Sequence, residues 1–229
     1  MARLAIEQGH AVTVSARTVS QGPEFLAGAS RVRYDVAKAG LNPDVSEDGL
    51  VLFGAEADVI YWVAGQGLIK PFVECSSAEI DAIIRTHVTG PMTALQAILC
   101  ERIAHGQQSV QLVMVSSSSA WKVREREAAY ATAQAGKAHL ARNLAVEMAR
   151  DLPGSKVLLV CPGGMKTGFF EGTDVDTSAF MDPSQVAGVI CDAVHEQTAP
   201  YQELHVVRDA QGGLDLTWGP KFPQTLKHG

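Results

Sequence analysis

Residues 110–161 read VQLVMVSSSSAWKVRER, EAAYATAQAGKAHLARNLAVEMAR and DLPGSKVLLVC in succession. The first and last segments contain runs of consecutive apolar residues, which is typical of strands covered on both faces. The middle segment, 127–150, predicts a long helix that ends at the breaker Asp151-Leu152-Pro153-Gly154. A strand, a helix of crossover length and a second strand together predict a βαβ unit with parallel strands.

The same alternation continues on both sides of this unit. We predict further strands at 11–16, 31–34, 58–63 and 203–207, and further helices at 2–9, 78–105 and 183–196. No repeat, low-complexity stretch or linker interrupts the pattern. The sequence therefore predicts an α/β protein: residues 1–229 form a single Rossmann-like domain, a doubly wound parallel sheet with helices on both faces.

Composition excludes several classes of protein. The 229 residues include 19 basic and 25 acidic ones, a formal charge of -6 without basic blocks, so we expect no nucleic-acid partner. No apolar run approaches the roughly 18 residues of a membrane helix, and the start, MARLAIEQGH, lacks a signal-peptide pattern. The four cysteines have neither metal-ligand nor disulfide spacing, and the seven histidines are scattered. We expect a cytoplasmic protein without a metal site.

A serine and a tyrosine are the main candidates for chemistry. Ser117 follows the strand at 110–116, and Tyr130 lies 13 residues later near the start of the long helix. Two other strand ends carry the motifs Trp62-Val63-Ala64-Gly65 and Pro162-Gly163-Gly164, with Thr167 close behind. In this combination the chain resembles the short-chain dehydrogenase/reductase family over nearly its whole length.

The resemblance implies an oxidoreductase that interconverts a small carbonyl compound and its alcohol. Ser117 would bond the substrate carbonyl, and Tyr130 would donate the proton while a nicotinamide cofactor delivers hydride. A free phenol has a pKa near ~10, so the family places a lysine four residues after the tyrosine to lower it. Ala64, Gly65, Pro162, Gly163 and Thr167 would contact the cofactor, with 165–170 as a flap. Ser116, Ser118 and Ser119 crowd around Ser117, which is chosen by its spacing to Tyr130 alone.

Two side chains depart from the family pattern. Position 134, where the family has the lysine, is Gln134, which can bond a ribose hydroxyl but brings no charge. Lys137 lies on the same helix face but ~10 Å further along the axis, too far unless its side chain folds back; Lys122 or Arg124 is a less favoured source of charge. His87 stands where the family has an asparagine of a water relay. It either passes protons itself or, the reading we favour, is satisfied by a neighbouring carbonyl.

The third departure lies at the front of the chain. The first strand and the glycine-rich turn, which would hold the cofactor's pyrophosphate at a helix N-terminus, are absent from the sequence. A sheet without its central strand would leave backbone groups unpaired. We therefore expect a start upstream of Met1 or a truncated chain rather than a natural deletion.

Cofactor choice rests on the ends of the first two predicted strands. Ser15-Ala16-Arg17 contains no acidic residue for the ribose hydroxyl of NAD, and Arg17 suits the 2′-phosphate of NADP, so NADP(H) is favoured over NAD(H). The alternative is that Arg17 is only a solvated loop residue. Asp35-Val36 resembles the family's adenine contact, although Asp35 also suits a turn or a helix cap.

Two functions remain open at this point. The first is the NADP(H)-dependent oxidoreductase; the second is a catalytically impaired relative, a pseudoenzyme that binds a nucleotide or a partner, which Gln134, His87 and the absent turn favour. By the resemblance, the two long helices at 78–105 and 127–150 would pair in a homodimer or homotetramer.

Overall fold

The computed structural model describes residues 1–18, 26, 28–38 and 47–221, with the side chains of residues 47 and 48 left aside. The helices are α1 (Ala2–Glu7), α2 (Glu47–Glu56), α3 (Ser77–Ile84), α4 (Gly90–Ala104), α5 (Ala128–Asp151) and α6 (Pro183–Glu196). The strands are β1 (Thr13–Ala16), β2 (Ser30–Arg33), β3 (Val59–Trp62), β4 (Gln111–Val115), β5 (Lys156–Pro162), β6 (Tyr201–Arg208) and β7 (Leu214–Trp218).

The strands form two hydrogen-bonded groups within the described part of the chain. β1 and β2 pair in parallel, and the larger sheet has the order β3-β4-β5-β6-β7. Its first four strands are parallel because helices connect them, as in the predicted βαβ pattern. The predicted architecture, an α/β sheet with helices on both faces, is confirmed.

Alternate residues of the central strands pack against different helices. On one face, Leu112 and Leu159 contact the apolar sides of α4 and α5. On the other, Val113 and Leu158 contact α6, whose Val186 and Ile190 are buried. Every side chain of β4 from Leu112 to Val115 is therefore buried, which explains why this strand reads as one apolar run.

The structure departs from the predicted elements in three places. β7 runs antiparallel to β6, because the short turn at 209–213 allows only a hairpin where a parallel neighbour needs a long crossover. The predicted helix at 78–105 is divided by a π turn, Arg85–Thr89, into α3 and α4. Neither α2 nor β7 was predicted. Within the residues described, no helix is both long and apolar enough to cross a membrane.

Candidate functional site

The sequence-predicted site residues Tyr130, Ser117, Gln134 and His87 lie together at the carboxyl ends of β3 and β4. Ser117 lies two residues after the end of β4, while Tyr130 and Gln134 share the inner face of α5, one turn apart. His87 reaches them from the π turn, and its ring meets the Tyr130 ring edge-on with centroids 5.8 Å apart. π turns are frequent at functional sites because they re-aim side chains that a regular helix would place elsewhere.

The four consecutive serines differ in burial and in partners. Ser116 is buried and donates to the Gln134 backbone, and the buried Ser118 and Ser119 hydroxyls both accept from the Arg124 guanidinium. Ser117 is only partly buried, accepts a hydrogen bond from the Ser119 backbone N–H (3.1 Å) and lies close enough to Tyr130 to lower its pKa. Of the four, Ser117 is therefore the hydroxyl that both reaches the tyrosine and remains open to a small molecule.

Tyr130 is held as a neutral phenol. Burial raises its pKa to about 12, and Glu127 also raises it, although hydrogen bonds from Ser117 and Gln134 and the Arg124 charge lower it. Its side chain is 7% exposed. At neutral pH the tyrosine can thus give a proton but holds almost no phenolate that could accept one.

The Gln134 side chain is hydrogen-bonded to Ser116 and His87. Its side-chain oxygen accepts from Ser116 Oγ (3.1 Å), and its amide nitrogen lies 3.3 Å from His87 Nδ1. His87 Nε2 lies 2.8 Å from the Gln66 carbonyl, so the tautomer that satisfies both contacts carries its proton on Nε2. Burial and the nearby Lys137 charge lower the His87 pKa to about 4. A neutral imidazole bonded to a backbone carbonyl matches the reading favoured from the sequence.

Lys137 lies beneath this layer and is almost completely buried, at 1% exposure. Its Nζ donates to two backbone carbonyls, Ala64 O at 2.8 Å and Val115 O at 3.1 Å. Burial lowers its pKa to about 7. The side chain therefore turns toward the sheet rather than toward Tyr130. The distance along the helix axis, which is all that the sequence provides, does not predict this position.

The loop after β3 forms the next part of the site. Val63, Ala64 and Gly65 directly follow β3 and are exposed. A Cβ on Gly65 would lie 2.8 Å from the His87 ring, so this close approach requires glycine. On the other side, Pro162 ends β5, and Gly163 N–H donates to Val206 O (2.8 Å).

Thr167 and two phenylalanines form the segment that covers the site. Thr167 is exposed and accepts a bond from the Phe169 backbone. The Phe169 ring packs on the Tyr130 ring with centroids 5.6 Å apart, and Phe170 packs on Phe169. The predicted flap thus contacts the candidate tyrosine directly.

Arg17, Asp35 and Val36 lie apart from this cluster, at the ends of β1 and β2. Arg17 is exposed in the turn after β1. Asp35 accepts from the Ala37 backbone N–H (3.2 Å), which makes it a turn residue as well as a candidate adenine contact. The carbonyl of Val36 meets the first residue of α4, Gly90, so closely that no Cβ would fit there. Val36, at the predicted adenine end of the cofactor site, therefore packs against the residue that follows the π turn. The same π turn carries His87 at the other end of the site.

Within the described residues, one cluster of side chains that could bind a metal ion lies outside this site. It consists of Cys161, Glu203 and His205. Burial raises the pKa of Glu203, but hydrogen bonds from His205, Arg142 and Tyr201 outweigh it and lower the pKa to about 2. Arg142 donates twice, at 3.1 and 2.8 Å. With four donors on two oxygens, this carboxylate has no free position for an ion.

Comparison with known proteins identifies the family. The family model described as short chain dehydrogenase matches residues 1–177. The chain belongs to the short-chain dehydrogenase/reductase family. Among curated proteins no match was found.

Solved structures share the fold of this short-chain dehydrogenase/reductase at low sequence identity. An alcohol dehydrogenase from the archaeon Thermococcus sibiricus, complexed with 5-hydroxy-NADP, is 21% identical, with a TM-score of 0.73 over 89% of this chain and 88% of that one. A gluconate 5-dehydrogenase from Burkholderia cenocepacia J2315, complexed with NADP and tartrate, is 17% identical, with a TM-score of 0.73 over 90% and 87%. A short-chain dehydrogenase/reductase from Vibrio parahaemolyticus is 21% identical, with a TM-score of 0.72 over 91% of both chains.

As a short-chain dehydrogenase/reductase, this chain replaces a charged centre with a neutral one. Gln134 is an uncharged neighbour of the tyrosine where the resemblance implies a lysine. Arg124, six residues before Tyr130, is a cation that does lower the tyrosine's pKa, but Glu127 raises it. The charge on Lys137 acts instead on His87.

Proposed function

We propose that the protein is an NADP(H)-dependent oxidoreductase that reduces a small carbonyl compound, or oxidises the corresponding alcohol, through Tyr130 and Ser117. The observation that carries the proposal is the placement of these two side chains close together at the carboxyl edge of the parallel sheet, where Ser117 lowers the pKa of Tyr130. In open α/β sheets this edge is where ligands bind. The partly buried Ser117 hydroxyl and the Tyr130 phenol can donate to one substrate oxygen.

The exposed loop after β3 fits a nicotinamide cofactor. Val63 is apolar and 48% exposed, so this loop offers an uncovered surface for a ligand. Ala64, Gly65, Pro162 and Gly163 would hold the cofactor, with Thr167 on the flap, and Gln134 would bond its ribose. When bound, the cofactor supplies the hydride. The exposed Arg17 favours a 2′-phosphate, and therefore NADP over NAD.

The proton comes from Tyr130. Its raised pKa keeps it protonated across the neutral range, so it is ready to protonate the oxygen of a carbonyl as hydride arrives. Ser117 positions that oxygen, and Phe169 over the tyrosine ring excludes water. Both directions share one transition state. At neutral pH, however, oxidation must start from the scarce phenolate, so reduction is the direction in which this site works best.

The proposal is tested with Tyr130→Phe and the matched control Tyr201→Phe, a tyrosine bonded to Glu203 away from the site. NADPH binding is followed by fluorescence and carbonyl reduction by loss of NADPH absorbance across an aldehyde and ketone panel. We expect Tyr130→Phe to bind NADPH normally and to lose at least about a hundredfold in kcat, because the general acid is gone. NADPH should bind more tightly than NADH. Turnover unchanged by Tyr130→Phe would contradict the assignment.

The neutral Gln134 favours a second candidate function, a catalytically impaired relative that binds a nucleotide or a partner. This protein would bind NADPH and reduce nothing. If the protein does not bind the cofactor at millimolar concentration, both the oxidoreductase and the nucleotide-binding relative are contradicted.

The remaining properties belong to the same proposal. Residues 1–229 act as one nucleotide-binding domain of a cytoplasmic protein. The protein forms a homodimer or homotetramer, and its partner in the reaction is a small molecule rather than a nucleic acid or a membrane.

A further inference from the structure

The structure contains a buried lysine for which the proposed reaction has no direct use. Lysine side chains are almost never fully buried unless they are paired, because removing an ammonium group from water is costly. Lys137 is 1% exposed, and its Nζ donates to backbone carbonyls. Since its pKa is lowered to about 7, a large part of the side chain is a neutral amine near pH 7, and the two N–H groups of that amine match the two carbonyls.

The two carbonyls belong to different parts of the candidate site. Ala64 is the residue before Gly65 in the exposed loop after β3, and Val115 ends β4 two residues before Ser117. They lie 73 and 22 residues from Lys137 in sequence. Beyond these two residues, β3 and β4 diverge into separate loops, and the Lys137 side chain joins the strands where their ladder ends.

We propose that Lys137 is a positioning residue, which joins the end of β3 to the end of β4 beneath Tyr130 and so holds the cofactor-side loop in register with Ser117. The inference rests on the proposed function for its catalytic consequence only. Because it is buried, the lysine is not open to a cofactor or a substrate. It acts through its hydrogen bonds, with Ala64 on the loop and with Val115 on the strand that leads to the serine.

Lys137→Met tests the proposal, because methionine keeps the length and apolar stem but removes both donors. We expect cofactor Kd to rise and kcat to fall by about tenfold each, the size expected from two lost hydrogen bonds, with KM for the carbonyl within about twofold. Lys156→Met is the matched control. Lys156 also donates to a backbone carbonyl, Gln197 O at 2.6 Å, but it lies at the opposite end of β5. A loss of stability alone would affect both variants; the split between kcat and KM should appear only in Lys137→Met.

Amide hydrogen exchange provides a readout that needs no enzyme activity. Peptides covering 60–68 and 111–119 should exchange faster in Lys137→Met than in Lys156→Met. Lys137→Gln keeps an N–H pair on a shorter side chain. Its amide exchange rates and its cofactor Kd should fall between those of wild type and Lys137→Met. If the methionine variant does not fold, Lys137→Gln takes its place in the comparison. Unchanged exchange in both peptides would overturn the inference. If wild type shows no turnover, the proposed function is contradicted. The positioning role of Lys137 is then decided by the exchange result.

Discussion

At the scale of single residues, Gln134 is the side chain that most affects the proposed chemistry. It places an uncharged amide near Tyr130, and burial raises the tyrosine pKa to about 12. A lysine at this position would put a cation beside the phenol and lower that pKa. The phenolate, which is the form of the tyrosine that accepts a proton, would then be present at lower pH.

We therefore expect Gln134→Lys to increase alcohol oxidation at pH 8 by at least about tenfold, since each pKa unit of phenolate stabilisation raises its fraction tenfold. Wild-type oxidation should keep rising with pH up to about the tyrosine pKa, whereas reduction should stay level between about pH 6 and 10. The pH profiles of both directions are the measurement, and Gln134→Met is the uncharged control. An identical oxidation profile in folded Gln134→Lys would show that charge at this position does not reach the phenol.

Lys137 makes a second prediction at this scale, on stability. Its pKa is lowered from 10.5 to about 7 in the folded protein. Between these values the unfolded chain binds the proton and the folded one does not, so the free energy of unfolding rises with pH. His87, the charged or titratable group that faces it, is already neutral in this range.

The measurement is urea unfolding at pH 7, 8, 9 and 10 for wild type and Lys137→Met. The stability difference between them should move in favour of wild type as pH rises, because the variant lacks this titration. Taking the difference removes the contributions of the buried tyrosines and cysteines, which titrate in both proteins. A difference that does not change with pH would mean that Lys137 keeps an ordinary pKa.

At the scale of elements, the end of α2 depends on one buried arginine. Arg102 on α4 donates to the carbonyls of Gly54, Ala55 and Ala57 at 3.2, 2.6 and 2.7 Å, and also to Ser109 O. It is 2% exposed. The last carbonyls of a helix lack intrahelical partners, so this guanidinium closes α2 and ties it to the strand that follows.

We expect Arg102→Met to lower the free energy of unfolding by about 3 kcal/mol, because several buried carbonyls lose their donor together. Arg150→Met is the control. Arg150 is exposed and pairs with the neighbouring Asp151, and such surface pairs contribute little. Chemical denaturation of both variants measures the difference, and equal midpoints would contradict the role of Arg102.

At the scale of the whole molecule, the outer faces of α4 and α5 carry exposed apolar side chains. Val146 on α5 is 74% exposed and Met92 on α4 is 49% exposed. Pairing of these helices between protomers would cover both side chains.

We expect Val146→Glu to convert the proposed dimer or tetramer to a monomer, because a buried, unpaired carboxylate would be placed in the contact. Light scattering measures the mass. Val73→Glu is the control, since Val73 is even more exposed, at 92%, but lies in a short turn away from both helices. A monomeric wild type, or an oligomer that survives Val146→Glu, would contradict this interface.

Prediction from the sequence succeeded where a pattern repeats within one element. The buried strands β4 and β5 read as apolar runs because both their faces are covered, and α5 begins and ends within two residues of the predicted limits. It failed for β7, an edge strand that is partly exposed along its length, and for α2, whose consecutive apolar residues show no helical period. Ser117, Tyr130, Gln134 and His87 were all found through the family resemblance.

The sequence by itself determined the family and most of the order of strands and helices, and it predicted the pair of side chains on which the proposed chemistry rests. Only the tertiary structure decided what surrounds them: which of four serines reaches Tyr130, the neutral state of His87, and the place of Lys137. The physical reason is that apolar patterns and motifs depend on neighbours in the chain. A pKa or a buried hydrogen bond depends instead on neighbours in space, and the two carbonyls that Lys137 joins lie 73 and 22 residues away along the sequence.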